Sequence, residues 1–253
     1  MPFIVGTIII VGSAIFKEKM PKTLCMGLSI GAVAWGFYQS LLIFNSLRLD
    51  PTPFVKDYTW FSCESFRLTM GYLVDNLTSS MLIVVTAVSL LVQVYTHGYM
   101  REDPGYRRFY SYLSLFTGSM LGLVVATNLF QMFFFWELVG VCSYLLIGFW
   151  WYKDSAAAAC LKAFVVNRIG DFGFLVGILL FLGATYGFWH SHMDHGLLSF
   201  YDRSFGPIGS AIDGVNLAGA IKWAMSPAQS LMTQGLLTTI AILMFMGPMA
   251  KSA

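Results

Sequence analysis

The chain has 253 residues, 57% hydrophobic, 16% aromatic and only 11% charged, with a mean hydropathy of +0.69. A soluble domain carries about 25% charged residues, so this composition excludes an ordinary water-soluble globule and predicts an all-α polytopic membrane protein. A net charge of +2, with no dense Lys/Arg run, excludes a nucleic-acid partner and leaves the lipid bilayer as the first one.

In chain order, seven apolar segments predict seven transmembrane helices, over about 1–16, 24–47, 77–97, 110–127, 129–150, 161–187 and 231–250. The first starts at Phe3 with no basic region before it and no small-residue cleavage site. It reads as a retained span rather than a signal peptide. The connections differ in charge. Lys17, Lys19 and Lys22, then Arg101, Arg107 and Arg108, then Lys153 and Lys162 crowd three short loops. The longer segments 48–76 and 188–230 are poorer in Lys and Arg for their length. The positive-inside rule puts the three basic loops inside and the amino terminus on the outer side.

The 48–76 loop predicts a small surface β-hairpin. Phe66 to Tyr72 alternates apolar and other residues, Tyr58-Thr59-Trp60 offers a partner strand, and Pro51 and Pro53 stiffen the chain before it. The 188–230 segment is rich in Gly, Ser, Asp and His, with a short interfacial helix expected over 217–225. His190, His192, Asp194 and His195 have the residue types of a metal site, but a solvated polar loop is the expectation here. His97 is a lone histidine at the inner end of its span, too few for a b-type haem. Cys25, Cys63, Cys142 and Cys160 contain no Cys-x-x-Cys pair, and no dinucleotide or phosphate-binding Gly motif occurs. No metal and no cofactor is expected in this chain.

Charges inside apolar segments carry the functional argument. Glu137 lies about nine residues into the fifth span, near mid-bilayer at about 1.5 Å per residue. An ionised side chain there costs about 3 kcal/mol on insertion scales, so it is a functional candidate. Gly140, Val141 and Tyr144 share its helix face, the glycine permitting close approach and the Tyr144 hydroxyl extending a polar path. The two readings are a proton site and a buried ion pair that only holds helices together. In the sixth span Arg168 and Asp171 are spaced i, i+3 and can pair on one face. Asn167 and Lys162 extend that polarity inward, and Gly170, Gly173 and Gly177 leave one side thin enough for helix contact. In the last segment Gly247-Pro248 predicts a broken helix just before Lys251. A straight helix from Leu231 would carry Lys251 about 30 Å along, near the opposite surface.

The run Phe135-Trp136-Glu137-Leu138-Val139-Gly140-Val141-Cys142-Ser143-Tyr144-Leu145-Leu146-Ile147-Gly148-Phe149 closely resembles the fifth-span signature of the large antiporter-like subunit of complex I. That subunit is called subunit L in bacterial NADH–quinone oxidoreductase, and it has counterparts in mitochondria and in the photosynthetic complex of cyanobacteria and chloroplasts. Lys162 to Asp171 is similar to that family's sixth span, and Gly98-Tyr99-Met100, Tyr112 to Phe116 and Ala250-Lys251-Ser252-Ala253 also match. The resemblance covers about residue 70 onward. It implies a proton-translocating subunit with no redox centre of its own, partnered by other membrane subunits that carry out NADH or ferredoxin oxidation and quinone reduction. Carried over by position, Glu137 and Lys251 form a proton relay, with Arg168 and Asp171 as a modulating ion pair and the lysine near mid-membrane. The resemblance further implies that residues 1–253 form a single membrane domain, the N-terminal portion of an antiporter-like fold with its half-channel incomplete. A bacterial cytoplasmic membrane is the first expectation for location, with thylakoid and mitochondrial inner membranes as alternatives. The competing functions are a subunit of a multisubunit cation/proton antiporter and a structural membrane scaffold.

Overall fold

The computed structural model describes residues 4, 6–8, 21–50, 52–63, 66–191, 197–200, 217–226 and 233–252. The elements run α1 (Lys22–Leu49), β1 (Phe54–Cys63), β2 (Phe66–Val74), α2 (Asn76–Tyr99), α3 (Tyr106–Val124), α4 (Leu129–Ile147), α5 (Asp154–Ser191), α6 (Leu217–Ala224) and α7 (Gln234–Ser252). Among the described residues, five helices (α1, α2, α4, α5 and α7) are long and apolar enough to cross a membrane. The expected span 110–127 forms α3, a helix outside that apolar set. Its inward face explains this: Ser111, Ser114, Thr117 and Ser119 are buried. The expected span 1–16 lies mostly outside the described residues, with Ile4 and Gly6–Ile8 helical.

The chain divides into two compact units. Unit 1 holds α1, α2, α3, most of α4 and the start of α5. Its helices touch through small and hydroxylated residues. Ser29 and Ser114 share a buried hydrogen bond at 2.9 Å, and a Cβ on Gly36 would meet Thr86 at 3.8 Å. Thr86, Ser111, Thr117 and Ser119 each donate to a carbonyl one turn back in their own helix, so they pack without needing a polar neighbour. Residues of the three basic loops meet at one end of this unit. The Lys22 ammonium donates to the carbonyls of Arg101 (2.9 Å) and Asp103 (3.3 Å), and Trp150 Nε1 donates to Asp103 Oδ2 at 3.0 Å. Beneath them Met100, Tyr106, Tyr110 and Phe149 form a buried cluster.

Unit 2 holds the hairpin, the first turn of α4, most of α5, and α6 and α7. The expected hairpin is present, and β1 is longer than the three residues that marked it. The helix expected at 217–225 is α6. Here α5 extends past the expected 161–187 to a full 38 residues, because the alanines at 156–159, the strongest helix formers, carry the helix back to Asp154 and residues 188–191 continue it beyond the expected end.

One expectation fails. The last helix is not broken at Gly247-Pro248: α7 runs continuously from Gln234 to Ser252 with Pro248 inside it. A proline within a helix costs about 3 kcal/mol locally, but α5 grips α7 on both sides of it. A Cβ on Gly177 would lie 3.0 Å from the Met244 nitrogen, one on Gly173 3.2 Å from Met246 Cβ, and one on Gly170 would strike Ala250 Cβ. Contacts on either side hold the helix axis through the proline, as neighbouring helices do for proline-containing membrane spans.

Candidate functional site

Antiparallel packing of α5 on α7 builds a buried charged position in unit 2. The buried face of α5 comprises Gly170, Asp171, Phe174, Gly177, Ile178 and Phe181, an i, i+3, i+4 pattern on which one carboxylate stands. The facing stripe of α7 includes buried Ile240 and Gly247 and ends at Lys251. Lys251 Nζ lies 3.9 Å from Asp171 Oδ1, with the two side chains 14% and 2% exposed. Asp171 is near the midpoint of the 38-residue α5. The antiparallel register therefore places Lys251 beside the middle of a long helix, although it lies in the last turn of its own. Counting along the last span alone does not show this pairing, because the register of the two helices sets it.

The other expected site residues are placed as follows. Arg168 is half-buried one turn before Asp171, with its guanidinium 5.0 Å from the centre of the Phe164 ring, a cation–π arrangement. Glu137 is half-buried on α4 within unit 1, and Gly140 on the same face is buried. Tyr144 is 39% exposed, and its carbonyl accepts from Cys160 Sγ at 3.4 Å. His190 lies at the exposed end of α5, while His192, Asp194 and His195 fall outside the described residues. No group of three or more His, Cys, Asp or Glu capable of holding a metal occurs among the described residues.

A second polar cluster, not anticipated from sequence, fastens the hairpin of unit 2 to the start of α4. Asn128 Oδ1 accepts from the Gln131 backbone N–H at 2.8 Å, capping α4, while Asn128 Nδ2 donates to the Thr69 carbonyl at 2.7 Å. The Gln131 amide spans Gly71, accepting from its N–H at 3.0 Å and donating to its carbonyl at 2.8 Å. Backbone bonds from Leu73 to Val125, Leu197 to Arg67, Leu129 to Leu198 and Phe200 to Thr127 complete the seam. The available signal was Asn128-x-x-Gln131 ahead of an apolar run, a helix-start pattern.

Residues 126–253, half of the chain, match the family described as NADH:quinone oxidoreductase/Mrp antiporter, TM. The chain belongs to this family. Residues 60–110 also match the family described as NADH-Ubiquinone oxidoreductase (complex I), chain 5 N-terminus. Among relatives of this antiporter-type chain, NAD(P)H-quinone oxidoreductase chain 5 of Synechocystis sp. is 50% identical over 194 residues, covering 77% of this chain and 25% of the relative. The chloroplastic subunit 5 of Nephroselmis olivacea is 43% identical over 247 residues, covering 96% and 34%. The chain thus spans about a quarter to a third of the length of these relatives. In fold it is similar to a chain of the archaeal membrane-bound sulfane sulfur reductase, with TM-score 0.68, 15% identity, and coverage of 97% of this chain and 42% of that one. It is equally similar to a chain of the Mrp complex from Dietzia sp., with TM-score 0.68, 19% identity, and coverage of 100% and 23%.

Proposed function

We propose that this antiporter-type chain carries protons across a membrane as part of a multisubunit NAD(P)H–quinone oxidoreductase. In this reading, electron transfer occurs in partner subunits and the present chain supplies no redox centre. The observation that carries the reading is the Lys251–Asp171 pair: a lysine held beside the middle of a long apolar helix by a carboxylate that is 2% exposed. Maintaining two charges there is costly, and replacing such pairs by apolar residues is often neutral or stabilising, so their presence argues for use rather than for stability.

The chemistry proposed is a charge switch. An ammonium in a low-dielectric setting keeps its proton while an opposing carboxylate is near, and releases it more readily when that attraction weakens. Lys251 is the carrier in this scheme, with Asp171 and Arg168 setting the local field on α5. Glu137, the fifth-span carboxylate by motif, is the relay partner, and Tyr144 on its helix face extends the polar path. The amino terminus lies on the outer side and the basic loops on the inner side.

The test is Glu137→Gln in the assembled complex, reading proton uptake into inverted membrane vesicles per quinone reduced. Proton carriage requires that ratio to fall with assembly intact, whereas a scaffold role leaves it unchanged. The fold likeness to the Mrp complex keeps one second reading, a cation/proton antiporter subunit. Sodium- or potassium-dependent proton flux without quinone reduction would favour it.

A further inference from the structure

Gln93 on α2 is fully buried in unit 1, at 0% exposure. Among the described residues, neither its side-chain oxygen nor its nitrogen has a hydrogen-bond partner. Other buried hydroxyls of unit 1 differ, since Thr86, Thr96, Ser111, Thr117 and Ser119 are satisfied by carbonyls of their own helices. An amide with two donors and two acceptor lone pairs has no such local solution.

Helix register brings other polar groups to the same level. Gly36 faces Thr86, and Met26 packs on the cluster around Met100, so α1 and α2 are antiparallel and Ser29 falls near the level of Gln93. Ser29 is hydrogen-bonded to Ser114 of α3 at 2.9 Å. One turn before Ser114, the Tyr110 hydroxyl donates to the Gln93 carbonyl at 2.8 Å. The Tyr110 ring centroid lies 4.8 Å from that of Tyr106, whose hydroxyl is 3.0 Å from Nδ1 of half-buried His97. The Lys22 ammonium stands 5.4 Å from the Tyr106 ring, which marks this end as that of the basic loops.

We propose that the α1–α3 bundle binds ordered water at the Gln93 amide, bounded by Tyr110, Ser29 and Ser114 and reached from the basic-loop end past Tyr106 and His97. A water there donates to the amide oxygen or accepts from its N–H, and uses the free lone pairs of the Ser29–Ser114 pair and Tyr110. Buried waters in proteins characteristically satisfy such groups with about three hydrogen bonds each. This site is independent of the relay through Lys251.

X-ray hydroxyl-radical footprinting of the full chain in its native membrane tests the site, because radicals formed from bound water label the side chains beside it. Tyr110, at 0% exposure, is expected to label, and Gln93→Leu is expected to reduce that labelling several-fold while exposed Tyr152 labels as before. Unlabelled Tyr110 in the wild type, or unchanged labelling in Gln93→Leu, would overturn the proposal. The wild-type measurement covers a variant that does not accumulate.

Discussion

The Lys251 ammonium stands 3.9 Å from the Asp171 carboxylate, joining the last turn of α7 to the middle of α5. Charge-assisted hydrogen bonds of this type close to about 2.7–2.9 Å. At 3.9 Å the pair is an electrostatic contact rather than a closed hydrogen bond, the arrangement on which the proposed relay rests. Its surroundings are unforgiving to either charge alone.

Removing one partner should accordingly hurt more than removing both. Asp171→Asn or Lys251→Met alone is expected to destabilise by about 3–5 kcal/mol, the cost of breaking a buried pair from one side. The double variant should recover much of that loss. Thermal unfolding in detergent, arranged as a double-mutant cycle, measures the coupling; additive losses would mean that the two side chains act separately.

The α5–α7 contact gives a prediction with its own control. Gly170→Ala drives a methyl into Ala250 and the Met246 carbonyl, and Gly177→Ala meets the Met244 backbone. Each should cost about 1–3 kcal/mol by overpacking. Gly183→Ala, on the same helix with nothing within 4 Å of its new Cβ, should be neutral or stabilising by about 0.5–1 kcal/mol. Melting temperatures of the three variants check the contrast.

Those glycines also show what the sequence revealed and where it stopped. Their spacing marked a thin helix face correctly, and alternation within Phe66–Tyr72 marked the hairpin, because each signal is local. The continuity of α7 through Pro248 was not legible: the cost of a proline is written in the chain, but the helix that offsets it is packed from elsewhere. Lys251 was likewise visible as a charge while its contact with Asp171 was not, since the register of α5 on α7 decides it. Gln93 and Gln131 look alike in sequence, and only tertiary neighbours distinguish a clamp on Gly71 from an amide with no protein partner among the described residues.

Continuity of α7 predicts the outcome at Pro248 itself. Pro248→Ala restores the missing N–H in a helix that is already formed, so stability should rise, by up to about 3 kcal/mol. Unfolding of the variant in lipid bicelles measures it. A loss of stability would indicate that the proline's own geometry is needed for the α5–α7 fit.

The seam at Asn128 should control the hairpin. Asn128→Ala removes the cap on α4 and the tie to Thr69, with an expected loss of about 1–2 kcal/mol. Limited proteolysis should then cut between residues 54 and 74 faster than in the wild type. Equal cutting rates would assign the hairpin's hold to its backbone bonds instead.

The proton relay is tested most directly by Lys251→Arg beside Lys251→Met, each in the assembled complex, reading protons moved per quinone reduced. Arginine keeps the positive charge opposite Asp171 but cannot be deprotonated in a protein. A relay through Lys251 predicts that, in complexes shown to contain the variant chain, both substitutions abolish pumping. Wild-type pumping by Lys251→Arg, with loss only in Lys251→Met, would make the lysine a structural cation and contradict the account.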